Sequence, residues 1–74
     1  MEKKFYYKID VPGRHGYSFM VFSTDELDEG EVIDIALRNK LFNDDEDADY
    51  AVVDDWVSDY EIESFTKCGC CHQI

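Results

Sequence analysis

The sequence predicts a small single-domain α+β fold: an antiparallel three-stranded sheet with one main helix packed on it, in the order β-β-α-β, followed by a short C-terminal helix. Three observations carry this reading. Strictly alternating apolar residues near the start are followed by a Pro-Gly turn and a second apolar run; a helical spacing with capping signals comes next; a β-branched and aromatic run follows. Length bounds the rest, because 74 residues allow one core, and a core this small seldom contributes more than about 3–5 kcal/mol net. With 45% apolar and 15% aromatic residues the chain is too rich for an acidic disordered segment, so it should fold despite a net charge of −11. Residues 1–66 are assigned to the domain and 67–74 to a Cys-rich tail.

The first strand is read from Phe5, Tyr7, Ile9 and Val11 alternating with Lys4, Tyr6, Lys8 and Asp10, the period-two pattern of a half-buried strand. Pro12, Gly13, Arg14, His15 and Gly16 make the turn, proline presetting one corner and glycine free to take a positive φ at the next. His15 is read there as a turn residue rather than a general base. The second strand, residues 17–22, is apolar on both sides, which predicts that both of its faces are covered.

Ser23-x-x-Glu26 has the spacing of a capping box, and a helix is expected from about Asp28 or Glu29 to Phe42. Val32, Ile33, Ala36, Leu37 and Leu41 form its core stripe, while Ile35 and Phe42 fall on the far side. Acids early and Arg38 and Lys40 late suit the helix dipole, and Asp34 can pair with Arg38 at i, i+4. Residues 43–49 read as a charged loop and 50–57 as a third strand. A helix returning after the second strand lets the third lie antiparallel beside the first, with Phe5, Tyr7, Ile9 and Val11 at the sheet centre. Ser58-x-x-Glu61 with Ile62 and Phe65 at helical spacing predicts the last short helix.

Charge dominates the functional reading. From residue 25 to 63 there are 16 acids against Arg38 and Lys40, a local charge of −14, and residues 44–63 hold ten acids and no base. Such a surface repels phosphates and anionic lipid, which argues against direct nucleic-acid or membrane binding and for a basic protein partner. No apolar run reaches the ~20 residues of a membrane span, and no signal-type segment follows Met1 and Glu2, so a cytoplasmic protein is expected. Candidate partner-binding residues are Asp44, Asp45, Glu46, Asp47, Asp49, Asp54, Asp55 and Asp59, interleaved with Trp56 and Tyr60. Carboxylates on adjacent helical turns lie about 5–6 Å apart, dense enough to imitate a nucleic-acid backbone and occupy a basic cleft. The bland alternative is an acidic surface that serves solubility alone.

Cys68, Cys70, Cys71 and His72 are chemically complete for a zinc site, and Cys68-x-x-Cys71 has the spacing of one metal knuckle. Adjacent Cys70 and Cys71 fit tetrahedral zinc poorly, and Cu(I), which needs fewer thiolates, suits so local a set better. An inert tail and oxidation or cross-linking through exposed thiols are the other readings. An EF-hand fails: starting from Asp45, Tyr50 stands where glycine is needed and Trp56 where the bidentate glutamate belongs. With no resident cofactor and no catalytic set apparent, a non-enzymatic domain is expected. In size, acidity and lack of catalytic residues the chain is similar to the small inhibitors that phages and mobile elements direct against CRISPR or restriction enzymes. That likeness is one of composition and is carried by no motif.

Overall fold

In the computed structural model, which describes residues 3–14 and 16–74, the alternating run forms strand β1 (Phe5–Val11) and the second apolar run forms β2 (Tyr17–Ser23). The two pair antiparallel over their whole length, Phe5 opposite Ser23 and Val11 opposite Tyr17. Gly13 takes the positive φ its position requires, 137°. The reading of His15 lies outside the described residues. Helix α1 (Glu29–Arg38), helix α2 (Asp47–Tyr50), strand β3 (Val52–Asp54), helix α3 (Asp59–Cys68) and strand β4 (Cys71–Gln73) complete the chain.

β3 lies antiparallel on the outer side of β1, Ile9 opposite Val53, as the sequence predicts. The sheet nevertheless differs from the expected three antiparallel strands. The Cys-rich end adds β4 parallel to β2, Met20 opposite Cys71, giving a mixed four-stranded sheet in the order β3-β1-β2-β4. The Met20 amide donates to the Cys70 carbonyl at 2.8 Å and the Ile74 amide to the Phe22 carbonyl at 3.0 Å. The radius of gyration is 11.6 Å, close to the ~11 Å of a compact chain this long.

Pleating sorts the side chains into two layers. Tyr7, Ile9, Val11, Phe19 and Val21 face one way and pack with Val32 and Ala36 of α1 and with Phe42. Ile33, Leu37 and Leu41 flank this core half-buried, so the predicted stripe stands. Met20 faces the other way and is fully buried. Lys8 shares that face and reaches Glu61 of α3 at 3.4 Å, which places α3 over it. β2 is therefore covered on both sides. Tyr6 and Phe22, cross-strand neighbours on the α3 face, hold their rings 5.4 Å apart.

Several boundaries depart from expectation for local reasons. α1 is capped by Asp28, whose side chain accepts from the Glu31 amide at 2.8 Å, and not by Ser23, whose hydroxyl accepts from the Asp25 amide at 3.1 Å. It ends at Arg38 rather than Phe42. Lys40 there takes φ 57°, its amide donating to the Leu37 carbonyl and that of Leu41 to the Ala36 carbonyl, the paired bonds of a Schellman stop. The turn redirects Phe42 off the far face into the main core, 8% exposed and edge-on to Phe19 at 5.3 Å. Ile35 stays half-buried on the helix.

The third strand keeps only three of the eight predicted residues, because Tyr50 ends α2 and residues 55–58 form a loop. α3 follows its prediction: the Ser58 hydroxyl accepts from the Glu61 amide at 3.2 Å. Gly69 at φ 74° stops it, with Gly69 donating to the Thr66 carbonyl and Cys70 to that of Phe65. No helix among the described residues is long and apolar enough to cross a membrane.

Candidate functional site

The ten candidate partner-binding residues do not form one patch. Asp44, Asp45, Glu46, Asp47 and Asp49 lie in the segment that leads through α2, held at the hairpin end of the sheet by Tyr17. The Tyr17 hydroxyl donates to Asp47 Oδ2 at 2.7 Å and accepts from the Asn43 amide at 2.9 Å. Partial burial, and then the hydrogen bond to Asp47, hold the Tyr17 phenol above its ordinary value. The Asp44 side chain is spent on a local turn, accepting from the Glu46 amide at 3.0 Å.

Asp54, Asp55, Trp56, Asp59 and Tyr60 lie toward the opposite end, where β3, whose Asp54 stands opposite Lys8 at the middle of β1, leaves the sheet toward α3. Asp54 Oδ1 accepts from the Trp56 amide at 3.2 Å, fixing a tight turn. Trp56 and Tyr60 are 74% and 80% exposed.

This second end gathers acids that the candidate set lacks. β2 and β3 both run antiparallel to β1, so both leave the sheet at the same end. The β2–α1 connection therefore passes close to the β3–α3 connection. Two adjoining cavities, of about 260 and 670 Å³, open between them and share Tyr7, Glu26, Leu27 and Asp55. The larger is lined by Glu26, Asp28, Glu29, Glu31 and Asp55 around Tyr7, Leu27 and Val53. Trp56, Val57 and Ile62 line the smaller.

The Leu27 amide donates to the Tyr7 hydroxyl at 2.8 Å and so pins the connection over the groove. Asp28, beside it, raises the Glu31 carboxyl above the ordinary glutamate value by like-charge repulsion. Glu26, Asp28, Glu29 and Glu31 are thus the functional candidates that sequence reasoning missed. The available signal was topological: it required placing two chain exits side by side rather than counting charges along one segment.

Ion pairs among the described residues reach only three of the sixteen acids between residues 25 and 63: Asp34 with Arg38, Glu61 with Lys8, and Glu63 with Lys67. The five carboxylates of the larger cavity are in none of them.

The Cys-rich end is placed differently from a metal knuckle. Cys68 ends α3 and is exposed. Cys71 pairs with Met20 and points to the α3 face, whereas His72 pairs with Val21 and points to the main core, its ring edge-on to Phe19 at 6.4 Å. Cys70 packs partly against that same core. Among the described residues no group of three or more His, Cys, Asp and Glu is arranged to hold a metal ion. Burial pushes the Cys71 thiol above its ordinary value, against smaller opposing effects from Thr66 and Lys4, which lowers its fraction of thiolate, the form that binds metal or attacks.

The protein is a small α+β domain with a mixed four-stranded sheet, helices on both faces and an acidic groove at one end. No protein-family model, curated protein or solved structure matches it.

Proposed function

We propose that this chain is a non-enzymatic protein-binding domain whose carboxylates engage a basic nucleic-acid-binding protein, occupying the surface its nucleic acid would take. The observation that supports it is the concentration of carboxylates outside any described ion pair on a folded end of the sheet, beside an exposed tryptophan. Charges held in fixed positions can match a cationic cleft geometrically, which a disordered acidic tail does at greater entropic cost. Tryptophan is among the side chains that most often anchor such contacts.

The experiment is calorimetric titration of the protein into a panel of purified basic nucleases and DNA-binding proteins at 50 and 300 mM NaCl, repeated with a duplex oligonucleotide present. Binding to a member of the panel that weakens about tenfold or more over this salt range, and that duplex displaces, is the expected result. Binding that duplex leaves untouched would show a partner surface unrelated to nucleic acid and refute the mimicry.

A further inference from the structure

We propose that the groove between the β2–α1 and β3–α3 connections seats an extended, lysine- or arginine-bearing segment of that basic partner, with the cation in the carboxylate-lined cavity and the neighbouring side chain against Trp56. The inference rests on the function proposed above and assigns it to one place. Shape is the first argument. Glu26, Asp28, Glu29, Glu31 and Asp55 line an open concave space of about 670 Å³. Its apolar side chains, Leu27, Val53 and the buried Tyr7, offer a surface for the aliphatic stem of lysine or arginine while the head meets the carboxylates.

Charge fixes the orientation. Among the residues lining the larger cavity none is basic. The smaller cavity is lined by Lys4, whose ammonium sits 5.3 Å from the centre of the Phe22 ring on the α3 face. The incoming cation therefore belongs in the larger half, and the smaller half takes the neighbouring side chain, the aliphatic stem of a second lysine or arginine included, against Trp56, Val57 and Ile62. Trp56, exposed and with its amide anchored by Asp54, is also the best ring for a guanidinium that slides toward the shared wall. The crowding that raises the Glu31 carboxyl is relieved by an added cation, which favours an occupied groove.

The test uses the full chain and a fluorescein-labelled octa-arginine peptide, read by anisotropy at 20 and 150 mM NaCl. One variant carries Glu26→Gln, Asp28→Asn, Glu31→Gln and Asp55→Asn; the other carries Asp44→Asn, Asp45→Asn, Glu46→Gln and Asp49→Asn, the same loss of charge at the other end. Asparagine caps helices about as well as aspartate, so α1 keeps its start. The groove variant should bind about tenfold or more weakly and the other about twofold. Trp56→Ala, at an exposed position with no change of charge, should weaken binding about fivefold, and its fold is checked by circular dichroism. Equal weakening by the two charge variants, or full affinity in Trp56→Ala, overturns the groove and leaves the acidic-surface reading standing. Absence of wild-type binding at 20 mM NaCl overturns both.

Discussion

Met20 is the residue whose loss should reveal how the second layer of the fold is held. On the α3 face it is the one fully buried side chain among the described residues, and α3 itself contributes none, its Ile62 and Phe65 being half-buried. It stands between Lys8 and Cys71 in register, so it lies under α3 and against β4 at once. Met20→Ala removes three heavy atoms worth roughly 2 kcal/mol of transfer at about 0.8 kcal/mol per methylene-sized group. The unfilled space adds a comparable term, giving about 2–4 kcal/mol within the usual range for such truncations. Against a total of about 3–5 kcal/mol for a core this small, most of the stability should disappear. The assay is urea unfolding followed by far-ultraviolet circular dichroism, since Trp56 is too exposed to report folding well. Met20→Leu, close in volume, should cost less than about 1.5 kcal/mol. A Met20→Ala loss below about 1 kcal/mol would mean that α3 and β4 are held by something other than this contact, and the two-layer account would be wrong.

Lys40→Gly and Gly69→Ala should move stability in opposite directions, because both positions have left-handed φ, 57° and 74°. Glycine at 40 should raise the melting temperature by about 2–6 °C, from a torsional relief of roughly 0.5–1 kcal/mol. Alanine at 69 meets no atom within 4 Å, so its cost of about 1 kcal/mol is torsional alone; a lowered melting point for Lys40→Gly would contradict the geometry. Thirteen of the sixteen acids between residues 25 and 63 lie outside the described ion pairs, so the melting temperature should rise between 10 and 300 mM NaCl, and a fall would count against self-repulsion. For Glu31 the folded carboxyl is raised above its unfolded value, so the native state binds that proton more readily and stability grows as pH falls from 7 through the raised value, ending below the unfolded one. Glu31→Gln should flatten part of that slope in pH-dependent melts. Tyr17→Phe removes both hydrogen bonds that tie residues 43–47 to the hairpin, and should cost about 1–2 kcal/mol. Amide exchange at Asn43 should quicken well beyond that at Ile9, and equal acceleration at both would show that the segment is not separately anchored.

Much of the fold was legible because short-range rules and burial agree there. The alternation of Phe5, Tyr7, Ile9 and Val11 fixed which side of β1 meets α1, and the two-sided apolarity of β2 announced a second layer before α3 was placed. What misled was local chemistry with more than one outlet. Ser23-x-x-Glu26 matches a capping box, yet Asp28-x-x-Glu31 does too, and it is Asp28 that caps, next to a Leu27 amide that donates to the Tyr7 hydroxyl, a contact twenty residues away in sequence. Lys40 in the left-handed region could not be read from a residue type that rarely adopts it, and with that turn went the position of Phe42. β4 is three residues long and parallel to β2, so its pairing is decided by where α3 ends and carries almost no periodic signal of its own.

The candidate site residues are spread over the fold for a different reason. Acids at 44–59 look continuous along the chain, but within that stretch β3 runs from opposite Asp10 to opposite Lys8, away from the hairpin end where Tyr17 holds Asp47, so the folded chain separates Asp44 and Asp47 from Asp55 and Asp59. Acids at 26–31 and at 55 look unrelated along the chain, yet they surround one cavity. Both facts follow from a single geometric rule: two strands antiparallel to a common neighbour must leave the sheet at the same end. The pairing of β2 and β3 with β1 was predictable from periodicity and connection length, so the groove was implied by the predicted topology even though no motif marked it. In a chain with this much charge, the informative quantity is the set of carboxylates that strand direction brings to one end, and a run of acids along the sequence is a poor guide to that set.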